Sequence, residues 1–528
     1  MTDFYPVSLC NKPLMAMSTI FLCVIAPLAQ SDDGHDHGTI EQTHQPEQPL
    51  FDPVMQQLHI PVLTIANQDY QVYLRIRQTD PVIWELQSLT PLPQHSESTD
   101  TQASYDSETG IATIPQVEVP GRGRFNFRLS LLPGTTPVQL SMSAVEFPNL
   151  LTPSCSLWTA DRLFDGITLQ ENKTLLIEGN TVQRVGSFDE LQHACSYRVN
   201  LGNATLMPGF IESHAHLTFQ NVDADTVLKH GVTTVRDTGG PLLAPQGGDG
   251  RLRILSAGPI IQAAGGYPLN VFGGSGGYDS VGIVAHSTDE ARTIVRHLIE
   301  GGAEIIKIAL EPGGESGAPW SYDHGHGAPP AAPWPMLSQD IVEAIVAEAH
   351  AYGKKVTAHI GENEGATLAL AAGVDEWAHI PCAAVDDALL QQAVEQGVTF
   401  VTTVDTLSSC QGIYVNLMKL GDLLKTATSG AQLIYGSEIG HDNVPWGINA
   451  QELHLLLHMA GMTPQAIFQA ATAKAGEHLD RAPLGTLTAG APADMIAVRG
   501  NPFTRFKPLE YPDLVMSGGR VVVNRFTQ

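Results

Sequence analysis

The residues best suited to chemistry in this chain are two histidines, His214 and His216, which follow an apolar stretch and a Pro-Gly step. Side chains at positions i and i+2 of a β-strand point to the same side, so a strand here presents both imidazoles to one point. Neutral imidazole is a ligand that suits zinc and other borderline divalent ions. The pair is a modest signal of a metal site by itself, and further ligands must come from elsewhere in the chain.

Further polar residues follow in order, and each of them ends a short apolar run. They are Lys307, His359, His379 and Glu438. Helical stretches separate these runs, and this alternation is typical of a barrel that presents its functional side chains at the carboxyl ends of parallel strands. We therefore predict an α/β protein in which residues 206–480 form a (β/α)8 TIM-like barrel.

This series of residues resembles the metal ligands of the amidohydrolase superfamily, in particular its imidazolonepropionase-like and Xaa-Pro dipeptidase (prolidase)-like members. The resemblance covers residues 155–528. It implies two divalent metal ions, for which zinc is the first expectation, and a carbamate formed from CO2 on Lys307 that bridges them. It also implies a metal-bridging hydroxide as the nucleophile and Glu438 as the catalytic acid and base. The implied metal ligands are His214, His216, Lys307, His359, His379 and Glu438.

The acidic residue of this set departs from the family pattern. The family has Asp in a Gly-Thr-Asp segment, whereas this chain has Gly436, Ser437 and Glu438. The extra methylene moves the carboxylate by about 1.5 Å, the length of one carbon–carbon bond. An alternative interpretation therefore places Glu438 behind the metal ligands, with Asp442 assisting.

Three residues near the predicted strand ends are candidates for contact with a substrate. Arg236 ends the second predicted strand, where the competing interpretation is a structural salt bridge in the barrel mouth. Tyr267 follows the third strand, and His441 follows the eighth. A loop rich in glycine and histidine, residues 322–327, comes after the fourth strand and is either a lid or a surface loop.

The segments on either side of the predicted barrel are patterned as short strands. Residues 151–205 and 481–528 both contain brief apolar runs that turn residues separate. The family resemblance implies that these two segments come together as one small composite β-sandwich. Local patterning does not establish that the two ends meet.

An additional β-rich domain is predicted at residues 51–150. Apolar and polar residues alternate there, which is the period of a half-buried strand. The segment contains an internal repeat, in which Ile60-Pro61 and its flanking strands are matched by Ile114-Pro115 and theirs. We interpret the segment as a small β-sandwich or a pair of β-modules without a catalytic constellation.

Composition limits the kinds of partner. With 528 residues, the chain is too long for one compact core. Its net charge of −27 argues against nucleic acid and anionic membrane surfaces, because both need clustered lysine and arginine. The pattern predicts no stable membrane span, and the expected partner is a small-molecule or dipeptide substrate. Whether the chain forms a homo-oligomer stays open.

The amino terminus is typical of an export signal. Lys12 precedes an apolar run at 20–29, which has the length of a signal-peptide core and is too short to span a bilayer. We predict a signal peptide at residues 1–31 and a disordered linker at 32–50. The mature protein is then exported, to the periplasm or the extracellular medium.

Four cysteines follow the predicted signal. Cys155 and Cys195 flank one small β-rich segment, and Cys382 and Cys410 follow adjacent predicted strands. In an oxidising compartment each pair is a candidate disulfide. Free buried thiols are the alternative for both pairs.

The predicted function is hydrolysis of a carbon–nitrogen bond, in an amide, a peptide or a cyclic amide, by a metal-dependent enzyme. By resemblance, Lys307 favours the binuclear branch, because the mononuclear deaminases normally lack a bridging lysine. The alternatives are a mononuclear deaminase or a lactonase or esterase of the same superfamily. A non-catalytic scaffold is the fourth interpretation, and the glutamate at position 438 is the feature that supports it.

Overall fold

A computed structural model describes residues 48–526, except 54, 67, 80–81, 93–101, 120–122, 143–154 and 442. The predicted signal peptide, nearly all of the predicted linker and Asp442 lie outside the described residues. The chain divides into two compact units, one that ends at residue 153 and one that begins at residue 154. Among the described residues no helix has the length and apolar character needed to cross a bilayer.

The first unit consists of β-strands in its described residues. Its strands are β1 (Leu50–Asp52), β2 (Gln57–Ile65), β3 (Gln68–Thr79), β4 (Val82–Pro91), β5 (Ala103–Asp106), β6 (Ile111–Val119), β7 (Gly123–Leu132) and β8 (Gln139–Met142). They form one sheet in the order β1-β2-β3-β4-β8-β7-β6-β5, and additional pairings of β1 with β6 and of β2 with β5 close it. The closed sheet is a small barrel, which replaces the sandwich or pair of modules that the pattern predicted.

The pairing of this barrel follows the sequence repeat. The register of β2 against β3 shifts after Ile60, and the register of β6 against β7 shifts after Ile114. Proline follows each of these residues, and because proline has no N–H to donate, the ladder is interrupted at the same place in both copies. The two copies also meet through β4 and β8, where Trp84 is paired with Leu140.

The core of the barrel is aromatic. Trp84 is fully buried, and its ring meets that of Phe51 edge-on with centroids 5.4 Å apart. Phe127 packs against the same ring of Phe51 at 6.1 Å. These alternating inward side chains fill the interior, as is usual for a barrel of eight strands.

The second unit contains strands and helices in alternation. Its strands are β9 (Cys155–Phe164), β10 (Leu169–Glu178), β11 (Thr181–Gly186), β12 (Arg198–Asn200), β13 (Ala204–Pro208), β14 (Phe210–Ala215), β15 (Val232–Asp237), β16 (Arg253–Ser256), β17 (Ile260–Gln262), β18 (Gly282–Val284), β19 (Ile306–Leu310), β20 (Val356–Ile360), β21 (Glu376–Trp377), β22 (Thr399–Val401), β23 (Gln432–Ile434), β24 (Met495–Arg499), β25 (Leu514–Ser517) and β26 (Arg520–Asn524).

The helices of this unit lie between the strands. They are α1 (Phe188–Leu191), α2 (Ala224–Lys229), α3 (Leu269–Phe272), α4 (Thr288–Glu300), α5 (Gln339–Ala351), α6 (Asn363–Ala372), α7 (Asp387–Glu395), α8 (Ile413–Thr426), α9 (Ala450–His458), α10 (Pro464–Ala470) and α11 (Ala473–His478). Single 3-10 turns are present at Pro319–Ser321 and Lys507–Glu510.

The two ends of the second unit meet in one sheet. Its order is β11-β10-β9-β13-β24-β25-β26, with β12 beside β9. The junction is the antiparallel pair β13–β24, in which Leu206 is opposite Ala497. The described strands of the two flanking segments thus form a single mixed sheet where the resemblance implied a sandwich. A disulfide between Cys155 and Cys195 anchors the start of β9.

Parallel strands form the centre of the second unit. One sheet contains β14, β15 and β16, and another contains β17 and β19 to β23 in sequence order with β18 at its edge. The third strand of the series is interrupted, because β16 pairs with β15 whereas β17 pairs with β19. The first strand lies beside the segment after β23, since Ser213 N–H donates to Tyr435 O at 3.2 Å. All of these strands deliver their carboxyl ends to one side.

Candidate metal centre

The His-x-His pair and Glu438 converge at one point. His214 and His216 stand at the carboxyl end of β14, and their Nε2 atoms are 3.3 Å apart. His216 Nε2 is 3.6 Å from Oε1 of Glu438, and the candidate ligand atoms of the three residues all lie within 4.8 Å of one another. Ligands about 2.1 Å from a tetrahedral zinc ion are about 3.4 Å apart, so this donor set fits one such ion.

The other two predicted histidines adjoin this cluster. His359 lies on β20, and His379 follows β21 by two residues. The centroid of the His379 ring is 4.4 Å from that of His214 and 4.8 Å from that of His359. Burial lowers the pKa of all three rings, to about 3 for His359, so each of them is neutral and able to bind a metal.

Hydrogen bonds to the protein occupy one nitrogen of each of these rings. His214 Nδ1 is 2.8 Å from Ala378 O, and His379 Nδ1 is 2.9 Å from Thr403 Oγ1. Nε2 of His214 and Nε2 of His379 are therefore left to face the centre, whereas His359 uses its own Nε2 for a contact with a carboxylate. In metal sites, such contacts fix the tautomer and the orientation of the ligating imidazole.

Lys307 is the sixth predicted ligand, and the structure brings it to this cluster as well. It lies on β19, its exposed fraction is 1%, and its Nζ has no hydrogen-bond partner among the described residues. Burial lowers its pKa to about 7 and Arg236 adds to the decrease, while Glu376 and Glu438 act in the opposite direction. A lysine that reached solvent at the end of the strand would not be buried to this extent. A neutral buried amine is the form that reacts with CO2.

Glu438 is held in an unusual backbone conformation. Its φ is 60°, in the left-handed region that residues other than glycine seldom adopt. Oε2 of this carboxylate is buried without a partner among the described residues. Burial raises its pKa, but the neighbouring imidazoles, that of His216 first, outweigh this and hold the pKa of Glu438 below its ordinary value. An ionised carboxylate is thus directed at the histidine pair.

Glu212 was not among the predicted site residues, yet it connects the histidine pair with the segment that contains Glu438. It is fully buried, and its Oε1 accepts from His214 N at 2.9 Å. Its carboxylate also accepts from the N–H of Ser437 at 2.9 Å and from its hydroxyl at 2.7 Å. Burial raises the pKa of Glu212 to about 8, against the effect of these donors. A glutamate within the wholly buried strand β14 is the only sequence signal that pointed to it.

The predicted substrate contacts separate into two groups. Arg236 is 1% exposed, and its guanidinium is 2.6 Å from Glu376 Oε1 and donates to Ser213 O at 2.8 Å. It is therefore part of an interior ion pair and does not line the cavity described next, so we replace the substrate-binding prediction with a structural role. Tyr267 and His441 both line that cavity.

A cavity of about 450 Å³ opens beside His216 and Glu438. Its other walls are Phe219, Gln220, Ile260, Tyr267, Pro268, Phe272, Val281, Asp323, His324, His326, Gly440 and His441. Three of these side chains come from the loop at 322–327, so this loop forms part of the cavity wall. The size suits a small molecule, and the described lining contains aromatic rings and imidazoles but no lysine or arginine.

A larger opening of about 590 Å³ lies elsewhere, at the amino ends of β20 to β23. Lys355, Asp375 and His478 are among its walls, and none of the predicted metal ligands borders it. The smaller cavity is therefore the candidate substrate site, because it adjoins the reactive side chains.

The sequence of this chain matches the profile of the Amidohydrolase family over residues 205–522. The protein belongs to the amidohydrolase family. The resemblance seen in the ligand motifs is thereby confirmed, and the matched region contains every residue of the metal cluster.

Known amidohydrolases share both sequence and fold with this chain. The ochratoxinase of Aspergillus niger is 29% identical over 290 residues, which are 52% of this chain and 57% of the relative. Its crystal structure matches with a TM-score of 0.56 and 22% identity, covering 71% of this chain and 96% of that one. A Xaa-Pro dipeptidase structure matches with a TM-score of 0.55 and 23% identity, covering 70% and 99%. At these identities the structures establish the fold.

We predict that Glu212→Gln disconnects the histidine pair from Glu438. Both carboxylate oxygens of Glu212 now accept hydrogen bonds, and the amide replaces one of them with an NH2 group. This group then faces a buried donor, which costs about 1–3 kcal/mol of stability. Urea unfolding should show this loss, and the metal content per chain should fall. Ser437→Ala is the matched control, because it removes a single hydroxyl donor and keeps both backbone contacts. Wild-type stability and metal content in Glu212→Gln would refute the assignment.

Proposed function

We propose that the protein is a binuclear metal-dependent hydrolase of carbon–nitrogen bonds in small molecules or dipeptides, in which residues 206–480 form a (β/α)8 barrel. The observation that carries the proposal is the buried, unpaired amine of Lys307 among four imidazoles and a carboxylate. The sequential parallel strands, and the contact of the first strand with the segment after the last, support the barrel.

The donor set fits two divalent ions, with zinc as the first candidate. His214, His216 and Glu438 would hold one ion, and His359 and His379 would hold the other. Lys307, as its carbamate, would bridge them. When bound, such ions supply a hydroxide nucleophile at neutral pH and polarise the scissile carbonyl.

Side chains of the protein, Glu438 first among them, would then orient the substrate and transfer protons. Glu438 faces both the histidine pair and the cavity, so its carboxylate is placed to take a proton from the attacking water. The same group returns that proton to the amide nitrogen as the carbon–nitrogen bond breaks. With its left-handed backbone, Glu438 directs its longer side chain toward the histidine pair. Its carboxylate would therefore act as metal ligand and proton acceptor where the family has aspartate.

The walls of the cavity favour a substrate with an apolar or aromatic group. Phe219 and Phe272 meet edge-on at 5.3 Å, and Tyr267 lies 6.1 Å from Phe272. The imidazoles of His324 and His441 add hydrogen-bonding groups to the same cavity. The named relatives, an ochratoxinase and a Xaa-Pro dipeptidase, agree with cleavage of such an amide.

Hydrolysis of a panel of compounds tests this function directly. Dipeptides and N-acyl amino acids with an aromatic or apolar side chain should be cleaved, and a chelator should abolish the activity until zinc is restored. Lactones and aminopurines serve as the comparison set. Preferential cleavage of lactones, or deamination with one metal ion per chain, would contradict the amidase assignment, and no turnover after metal loading would favour a non-catalytic scaffold.

The carbamate gives a separate prediction. Protein loaded with zinc and carbon-13 bicarbonate should show a carbamate carbon signal by NMR and about two metal ions per chain by plasma mass spectrometry. Lys307→Met removes the amine at similar volume, so both the signal and the second ion should be lost while the fold, followed by circular dichroism, is retained. Two ions in Lys307→Met would exclude a bridging lysine.

We also propose that the protein is exported to the periplasm or the extracellular medium. Two disulfides, Cys155–Cys195 and Cys382–Cys410, support the proposal because structural disulfides persist in oxidising compartments. Protein recovered from the exported fraction should begin near residue 32. Its four cysteines should resist alkylation until the protein is unfolded and reduced. Free thiols in unreduced protein, or a retained amino-terminal segment, would contradict export in this form.

A further inference from the structure

A buried carboxylate, Glu311, contacts one of the candidate metal ligands. It follows β19 directly, its side chain has no exposed surface, and its Oε2 is 3.1 Å from Nε2 of His359. Its other oxygen accepts the N–H of Gly313 at 2.6 Å. Because a carboxylate oxygen accepts, this contact places the proton of the neutral ring on Nε2 and leaves Nδ1 without it.

A second carboxyl group, that of Glu315, lies against Glu311. Glu315 Oε2 accepts from the indole N–H of Trp320 at 3.2 Å, and its Oε1 is buried without a hydrogen-bond partner among the described residues. Two adjacent buried carboxyl groups are stable together when one of them carries a proton. Glu315 is the group that the geometry favours as the proton carrier, because its Oε1 accepts nothing whereas Oε1 of Glu311 accepts from Gly313 and Oε2 of Glu311 contacts His359.

The backbone beside this pair is shaped to accommodate it. Gly361 comes two residues after His359, and a Cβ built at this glycine would overlap with Oε2 of Glu311 and with Oε1 of Glu315. The pair therefore occupies the space of a side chain at position 361. Aromatic rings close the remaining sides of His359, with Trp320 and Tyr267 each 4.6 Å away between ring centroids.

We propose that Glu311 is a positioning residue that fixes the tautomer and orientation of His359, so that Nδ1 faces the metal centre. Glu315 supports it by donating a hydrogen bond, which keeps Glu311 available as an acceptor. The inference rests on the proposed metal function and adds to it a carboxylate behind one ligand. Removal of such a partner typically weakens metal binding by about 10- to 100-fold.

The first test reads the tautomer in the metal-free wild-type protein. With nitrogen-15-labelled histidine, and with the His359 signals assigned by comparison with His359→Gln, NMR should show the proton on Nε2. The shifts of His359 should move toward an exchanging mixture of tautomers in Glu311→Gln. Protonation at Nδ1 in the wild-type protein would overturn the inference without reference to any variant or to activity.

The second test measures zinc affinity by competition with a chromophoric chelator. Glu311→Gln should bind one of its two ions about 10- to 100-fold more weakly than wild type. Glu315→Gln is the matched control, because its amide still donates to Glu311, and it should bind both ions with nearly wild-type affinity. Equal affinities in wild type and Glu311→Gln would overturn the inference and leave the proposed function intact. Wild-type protein that binds no zinc would refute the function, and the tautomer measurement would still decide the role of Glu311.

Discussion

The geometry of the candidate metal centre depends on one buried carboxylate that joins the first and last strands of the parallel series. Glu212 accepts hydrogen bonds from the backbone of His214 and from Ser437, which precedes Glu438. Backbone hydrogen bonds between these two segments are few in the described residues: Ser213 N–H donates to Tyr435 O at 3.2 Å, and His216 N–H donates to Ile439 O at 2.8 Å beside the bridge between Ala215 and Ile439. The carboxylate supplies the missing connection at the position where the ligands need a fixed spacing.

Charge balance in the interior explains why the central lysine is left without a partner. Glu376, the buried carboxylate with the largest electrostatic effect on Lys307, is shared between Arg236 at 2.6 Å and His478 at 2.7 Å. Burial raises the pKa of Glu376, yet Arg236 and His478 bring it down to about 2, so its charge is fully engaged. Arg236 also disfavours a charged amine at Lys307. Burial and Arg236 thus favour the neutral form of this amine, while Glu376 and Glu438 favour the charged form.

The features that sequence could predict are those carried by local pattern. Each of His214, Lys307 and His359 stands in a short apolar run, and a run of this kind marks a buried strand. His379 was harder to place on a strand, because β21 has only two residues and ends before it. The family resemblance supplied what pattern could not, namely that these strand ends share one centre.

What the sequence could not predict arises from contacts between distant segments. Glu311 precedes His359 by 48 residues, and no local period connects an acidic loop to a later strand. The interruption of the third strand was equally unpredictable, since β16 pairs with β15 and β17 pairs with β19 only in the folded sheet. The single sheet of the amino-terminal barrel also depends on pairings across its repeat, which alternation along the chain does not specify.

In the amino-terminal barrel, each of the two sequence copies completes the sheet of the other. β1 of the first copy pairs with β6 of the second, and β5 of the second pairs with β2 of the first. β4 and β8 meet about Trp84 and Leu140 in the same reciprocal manner. A single copy would leave each of these edges unpaired, whereas two identical copies related by a twofold axis would satisfy them all. The two copies therefore pair within one chain as the two subunits of a symmetric homodimer would.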